Sequence, residues 1–312
     1  MTQFMETRLF PRKQGADAVQ IRGLAARCDL VIVSDRAEPH IHLVGDPVTA
    51  RTVFISLRHP VPALEAFLDA VLPRLSGPFI VISGSADPTF PDQCDTRFPA
   101  YPAELTARLE GALTHSGLVH WYAENLSRPA SNKLSPLPLG LVFETDDARA
   151  SFAVDQGPDI SDRALKVLCA HRERDGAQWA PRRAVSALAR GPWSEFCTVP
   201  DGELDPTAFD GALHAHAFVA CVEGGGFDPS PKAWLALTRG AIPIIKRGTL
   251  SPAYDLLPCV QVEAWEEDAL TLEKLKSWRE ALAPQVRDPS LLEQLSLDEW
   301  WQRIERGTPI KA

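Results

Sequence analysis

Short runs of β-branched and aliphatic residues alternate along the chain with longer segments whose apolar positions recur every three or four residues. Residues 30–34 and 53–57 read as buried strands. In 62–75, Leu64, Phe67, Leu68, Val71 and Leu72 share one helical face, and Pro62 suits a first turn, where a missing N–H costs nothing. A strand at 79–83 ends in Gly84-Ser85-Ala86-Asp87-Pro88, and a helix near 102–115 leads into a strand at 118–122. This βαβ rhythm predicts a parallel sheet.

Polar, acidic sequence follows residues 136–141 as far as about 162 and marks an expected boundary, with one domain over 1–150 and a second over 151–290. The rhythm restarts with strands at 165–170, 196–199, 217–222 and 242–245 and helices at 181–189 and 231–238; 267–282 and 289–305 also read as helical. The expected fold class is therefore α/β, with two Rossmann-like domains facing a central cleft, since such sheets bind ligands at the carboxyl ends of their strands.

Composition narrows the function. A 45% hydrophobic, 23% charged chain of 312 residues can bury a core, which argues against a disordered protein. Against 41 Asp+Glu there are 32 Lys+Arg, a net charge of −9, which argues against nucleic acid as a partner. No apolar run reaches the ~18–20 residues of a transmembrane span. The opening residues lack a secretory pattern, and six dispersed cysteines suggest no disulfide framework, so the expected compartment is the cytoplasm.

The most informative segment is 222–246. A strand delivers the chain into Gly224-Gly225-Gly226, and Ser230-Pro231-Lys232 then opens a helix, with Ser230 expected as its N-cap and Pro231 as its first residue. Glycines let a ligand approach the backbone, helix-terminal N–H groups suit phosphate, and Lys232 adds a charge beside them. Together these parts predict a diphosphate site, distinct from both a Walker A loop and a G-x-G-x-x-G fingerprint. The missing dinucleotide fingerprint near residues 31–35 makes a dehydrogenase a poor alternative. Arg182 is the favoured arginine to clamp the diphosphate, ahead of Arg183. Glu223, beside the glycines, is expected to bond backbone or sugar hydroxyls rather than phosphate.

Residues 224–246, followed by Leu250, Tyr254, Leu257-Pro258 and Trp265, resemble the exostosin-type glycosyltransferases, with their G-x-G-x-D…R-x-W-E-A-L…G-x-I-P-[IV] signature. Residues 121–125 and 133–140 resemble that family's hinge-side segments more weakly. The resemblance implies a GT-B fold, in which 291–312 form a C-terminal helix packing back toward the first domain. It also implies transfer of a sugar from a nucleotide-diphosphate donor to a glycan hydroxyl. Lys232 stands where the family has a basic residue facing the donor phosphates, and Ser230, Gly225 and Gly226 would supply N–H donors. The chain departs from the pattern at Leu235, where the family carries a glutamate that commonly receives the donor ribose. This keeps a second reading open, a non-catalytic nucleotide-sugar- or glycan-binding relative.

Such a transferase needs a base for the acceptor hydroxyl, and Asp87, at the carboxyl end of a strand, is the best-placed candidate, ahead of Asp35 and His59. Glu124 and Asn125 also follow a strand and are candidates for contact with acceptor or donor. No Asp-x-Asp lies in a supporting strand context, so catalysis is expected to be metal-independent, with no cofactor beyond the donor, itself a substrate. The expected partners are the nucleotide-sugar donor and the glycan acceptor, with peripheral contact to a lipid-linked acceptor left open.

Overall fold

The computed structural model describes residues 3–9, 20–35, 40–143 and 145–310. The chain forms two compact units, one of residues 1–151 and 295–312, the other of residues 152–294.

The first unit holds β1 (Leu30–Asp35), β2 (His40–Val44), β3 (Thr52–Ser56), α1 (Pro60–Ala66), β4 (Phe79–Gly84), α2 (Ala103–Leu113), β5 (Leu118–Glu124), β6 (Leu134–Leu137) and the short α3 (Asp146–Ala150). They build a six-stranded sheet of order β2-β1-β3-β4-β5-β6. Only the β1–β2 pair is antiparallel; the others run parallel, with Phe54 opposite Val31 and Tyr122 opposite Ile82. Every residue of β1, β3 and β4 is buried, as continuous apolar runs require when both sheet faces are covered. The helix predicted over 62–75 starts earlier, at Pro60, and changes character: α1 gives way to a π turn over Phe67–Val71 and a 3-10 turn over Leu72–Arg74. Pro73 has no N–H to donate, so the α pattern cannot run through it.

The second unit holds β7 (Ala164–Leu168), α4 (Ala180–Arg190), β8 (Cys197–Thr198), α5 (Pro206–Ala215), β9 (His216–Ala220), α6 (Lys232–Thr238), β10 (Ile242–Lys246), α7 (Ser251–Tyr254), β11 (Val260–Val262), α8 (Leu272–Val286) and α9 (Ser290–Gln294). Its five strands are all parallel, in the order β11-β10-β9-β7-β8. From β7 the chain steps outward through α4 to β8, then returns through α5 to the opposite side of β7 and continues outward through β10 to β11. The order reverses between β7 and β9, so their carboxyl ends flank a switch point, where a crevice forms in open α/β sheets. Val167, Phe218, Ile242, Ile244, Trp193 and Leu275 belong to the core around this sheet.

The chain ends in the first unit with α10 (Leu297–Glu305). Ser296 caps it by accepting from the Glu299 N–H, and Trp300 and Ile304 are buried. No helix among the described residues is long and apolar enough to cross a membrane.

Candidate functional site

At the switch point of the second unit the chain leaves β7 through Cys169-Ala170-His171 and leaves β9 through Cys221-Val222-Glu223 into the glycines. Lys232, the first residue of α6, donates from Nζ to the Ala170 carbonyl (3.2 Å). Burial and the nearby Arg182 guanidinium lower its pKa to about 8. Among the described residues, no carboxylate lies within salt-bridge distance of Lys232. A half-buried lysine whose hydrogen bond goes to a carbonyl, with a guanidinium nearby, concentrates positive charge at this point.

Arg182 is aimed by its own surroundings. Its Nε donates to the Glu223 carbonyl (3.2 Å), and its guanidinium lies over the Trp179 ring, 4.9 Å from the centroid. Gln178 donates to the carbonyls of Gly224 (3.0 Å) and Gly225 (3.1 Å). The segment that opens α4 thus fixes the glycine loop through its carbonyls. A Cβ on Gly224 would lie 2.3 Å from Arg182 Nη2 and 2.9 Å from the Trp179 ring. Gly224 therefore admits the protein's own guanidinium and indole, whereas the sequence reading gave that space to a ligand. The sequence does not single out Gln178 and Trp179, because an amide and an indole four and three residues ahead of Arg182 carry no recognisable spacing. Arg183 turns away, donating to the Gly176 carbonyl (2.9 Å).

The start of α6 differs from the sequence expectation. Ser230 sits at φ 86° in the left-handed region, and Pro231 takes the cap position, so the helix begins at Lys232. The Ser230 N–H donates to Asp228 Oδ1 (2.9 Å), its hydroxyl accepts from the Lys232 N–H (3.2 Å), and its carbonyl accepts from the Ala233 N–H (3.1 Å). Several amides expected to face phosphate thus have partners within the turn, and the positive character of the site resides in side chains. Asp228 Oδ2 accepts from the Tyr254 hydroxyl (3.1 Å), which ties the loop to α7.

Glu223 divides between two neighbourhoods. Its carbonyl takes Arg182, while its carboxylate pairs with Lys246 and accepts from the Trp265 indole N–H (3.3 Å). A pocket of about 50 Å³ opens beside it, lined among others by Phe227, Lys246, Gly248 and Thr249. Leu235 is half-buried on α6.

In the first unit, Asp87 follows β4. Its Oδ1 accepts from Arg8 (3.0 Å) and its Oδ2 from Arg97 (2.7 Å), so each oxygen of this carboxylate already holds a guanidinium. Arg8 also pairs with Glu124 Oε1 (3.1 Å), and Arg97 with the buried Asp95 (2.6 Å). Glu124 Oε2 accepts from the Ser85 N–H (2.7 Å), and Asn125 Nδ2 donates to the Ala86 carbonyl (3.0 Å). Both Ser85 (φ 70°) and Asn125 (φ 55°) are left-handed, a strain that these side-chain bonds offset. Asp35 lies 3.7 Å from Arg58, and the His59 N–H donates to Ser34 Oγ (3.0 Å).

Comparisons with protein-family models and with curated proteins match nothing. Among solved structures the chain is similar to one described as "Crystal structure of GtfA/B complex", at 9% sequence identity and a TM-score of 0.34. That similarity covers 82% of this chain and 57% of the other.

Proposed function

We propose that this chain is a glycosyltransferase of GT-B architecture that moves a sugar from a nucleotide-diphosphate donor to a glycan hydroxyl. The diphosphate is held by Lys232 and Arg182 at the switch point of the second unit. The observation that carries this reading is the pairing of a half-buried lysine with an arginine there, with no carboxylate in salt-bridge range of the lysine among the described residues. A diphosphate supplies the missing anion, and the charge that grows on it as the glycosidic bond breaks meets donors already in place. The motif at 224–246 supports a sugar-nucleotide ligand in particular. Glu223, not Leu235, offers the carboxylate nearest the glycines. Asp87 is the proposed base, with Arg97 the guanidinium that yields to the acceptor, since its side chain is the more exposed of the two that hold it (31% against 15% for Arg8).

Calorimetric titration with UDP, GDP, CDP and NAD tests the ligand class. Binding of a nucleoside diphosphate that is lost in Lys232→Ala is the expected result; binding of NAD alone overturns the reading. Sugar-nucleotide hydrolysis or transfer, abolished in Asp87→Asn, then separates an enzyme from a binding relative. The latter is favoured by one observation, the leucine at 235.

A further inference from the structure

We propose that His171 reads a hydroxyl group of the ligand. Its Nδ1 accepts a hydrogen bond from a hydroxyl carried next to the phosphates, so the site selects a phosphorylated nucleoside or sugar over bare pyrophosphate. The inference rests on the anionic-ligand reading above and adds to it a residue that discriminates among anions.

The tautomer follows from geometry. His171 Nε2 lies 2.9 Å from the Arg182 carbonyl oxygen, which can only accept, so Nε2 carries the proton. Ser186 Oγ, 3.0 Å away, shares that proton. Nδ1 is then a bare acceptor, buried and without a hydrogen-bond partner among the described residues. Burial and the charges of Lys232 and Arg182 outweigh Glu173 and hold the pKa at about 4, so the ring is neutral across the physiological range. Lys232 hangs on the carbonyl of Ala170, the residue immediately before His171, and the charges of Lys232 and Arg182 both act on the ring. A fully ionised phosphate satisfies the cations but only repels a lone pair. A ligand with a hydroxyl beside its phosphates satisfies both, and an unmet buried acceptor is costly enough to discriminate.

The test compares two variants of the full-length chain. Glutamine at 171 can keep an N–H on the Arg182 carbonyl but offers no acceptor at Nδ1; the shorter asparagine can place its carbonyl there. UDP, GDP, UDP-glucose and inorganic pyrophosphate are titrated against each, with thermal melting as a check on folding. The expected result is that His171→Gln binds the hydroxyl-bearing ligand about tenfold more weakly and pyrophosphate within about twofold of the parent, while His171→Asn recovers part of the loss. Loss on UDP or GDP assigns the hydroxyl to the ribose, and loss confined to UDP-glucose assigns it to the hexose. Equal loss for pyrophosphate, or no loss for any ligand, overturns the role of His171. Failure of the parent to bind any of them overturns the underlying reading instead.

Discussion

The carboxyl edges of the two sheets are built from similar parts and put them to opposite use. In the first unit the parallel strands succeed one another in a single direction from β1 to β6, with no reversal. Charges gather at that edge, but they are matched: Arg8 bridges Asp87 and Glu124, and Arg97 bridges Asp87 and Asp95. In the second unit the order reverses between β7 and β9, and Lys232 and Arg182 meet there with no carboxylate set against the lysine among the described residues. A matched network holds its own loops in strained conformations. A lysine with no carboxylate in reach leaves a potential that an outside anion can satisfy.

Breaking the matched side should cost the most. Glu124→Ala removes a buried carboxylate, leaves the Ser85 N–H without its acceptor and takes away one of the carboxylates that Arg8 bridges. The expected destabilisation is about 3 kcal/mol or more, read by denaturant unfolding, with nucleoside-diphosphate affinity unchanged. A loss of affinity without loss of stability would reverse the roles assigned to the two edges.

Lys232→Met should do the opposite, weakening nucleoside-diphosphate binding by about 10- to 100-fold with no loss of stability at pH 7. Its pH dependence sharpens the contrast. The folded pKa of about 8 lies below the usual lysine value of ~10.4, so between the two the unfolded chain binds more protons and stability rises with pH. That rise should be absent in Lys232→Met, and in the parent affinity should fall as pH passes about 8. Identical pH profiles for parent and variant would remove Lys232 from the account.

A pair of glycines probes the same contrast more gently. A Cβ at Gly84 would lie 2.6 Å from Glu124 Oε2, inside the buried network, whereas at Gly224 it meets the far end of the Arg182 side chain. Gly84→Ala is expected to lower stability by about 1–3 kcal/mol. Gly224→Ala should mainly displace Arg182 and weaken diphosphate binding about fivefold, for the loss of part of one charged hydrogen bond. Equal melting shifts in the two would contradict the division.

Much of this architecture is legible in the sequence where a residue's surroundings are local. The apolar runs that become β1, β3 and β4 are continuous because both faces of the sheet are covered, and Pro62 and Pro181 fall in the first turns of α1 and α4. α5 escapes because its apolar stripe is short, Phe209, Ala212 and Leu213, and only Leu213 is fully buried. The glycine loop and Lys232 stand out by order and spacing. What the order cannot carry is partnership at a distance. Trp179 and Gln178 set the loop from more than forty residues away, and Asp87 finds its guanidiniums at Arg8 and Arg97. Ser230 differs for a local reason: Asp228, two residues earlier, draws its N–H into a left-handed turn in competition with the cap.

That turn yields the smallest effect. Asp228→Asn can keep the Ser230 N–H on its carbonyl oxygen but turns an amide N–H₂ toward Tyr254, whose hydroxyl now donates to the carboxylate. The tyrosine oxygen can take the amide N–H on a lone pair, so no clash arises, but its own buried proton loses its acceptor. The expected cost is about 1 kcal/mol in stability. Diphosphate affinity should change less than about threefold, because Lys232 is placed by the Ala170 carbonyl as well as by the turn. A change as large as that of Lys232→Met would mean that the turn holds the anion directly, as the sequence alone suggests.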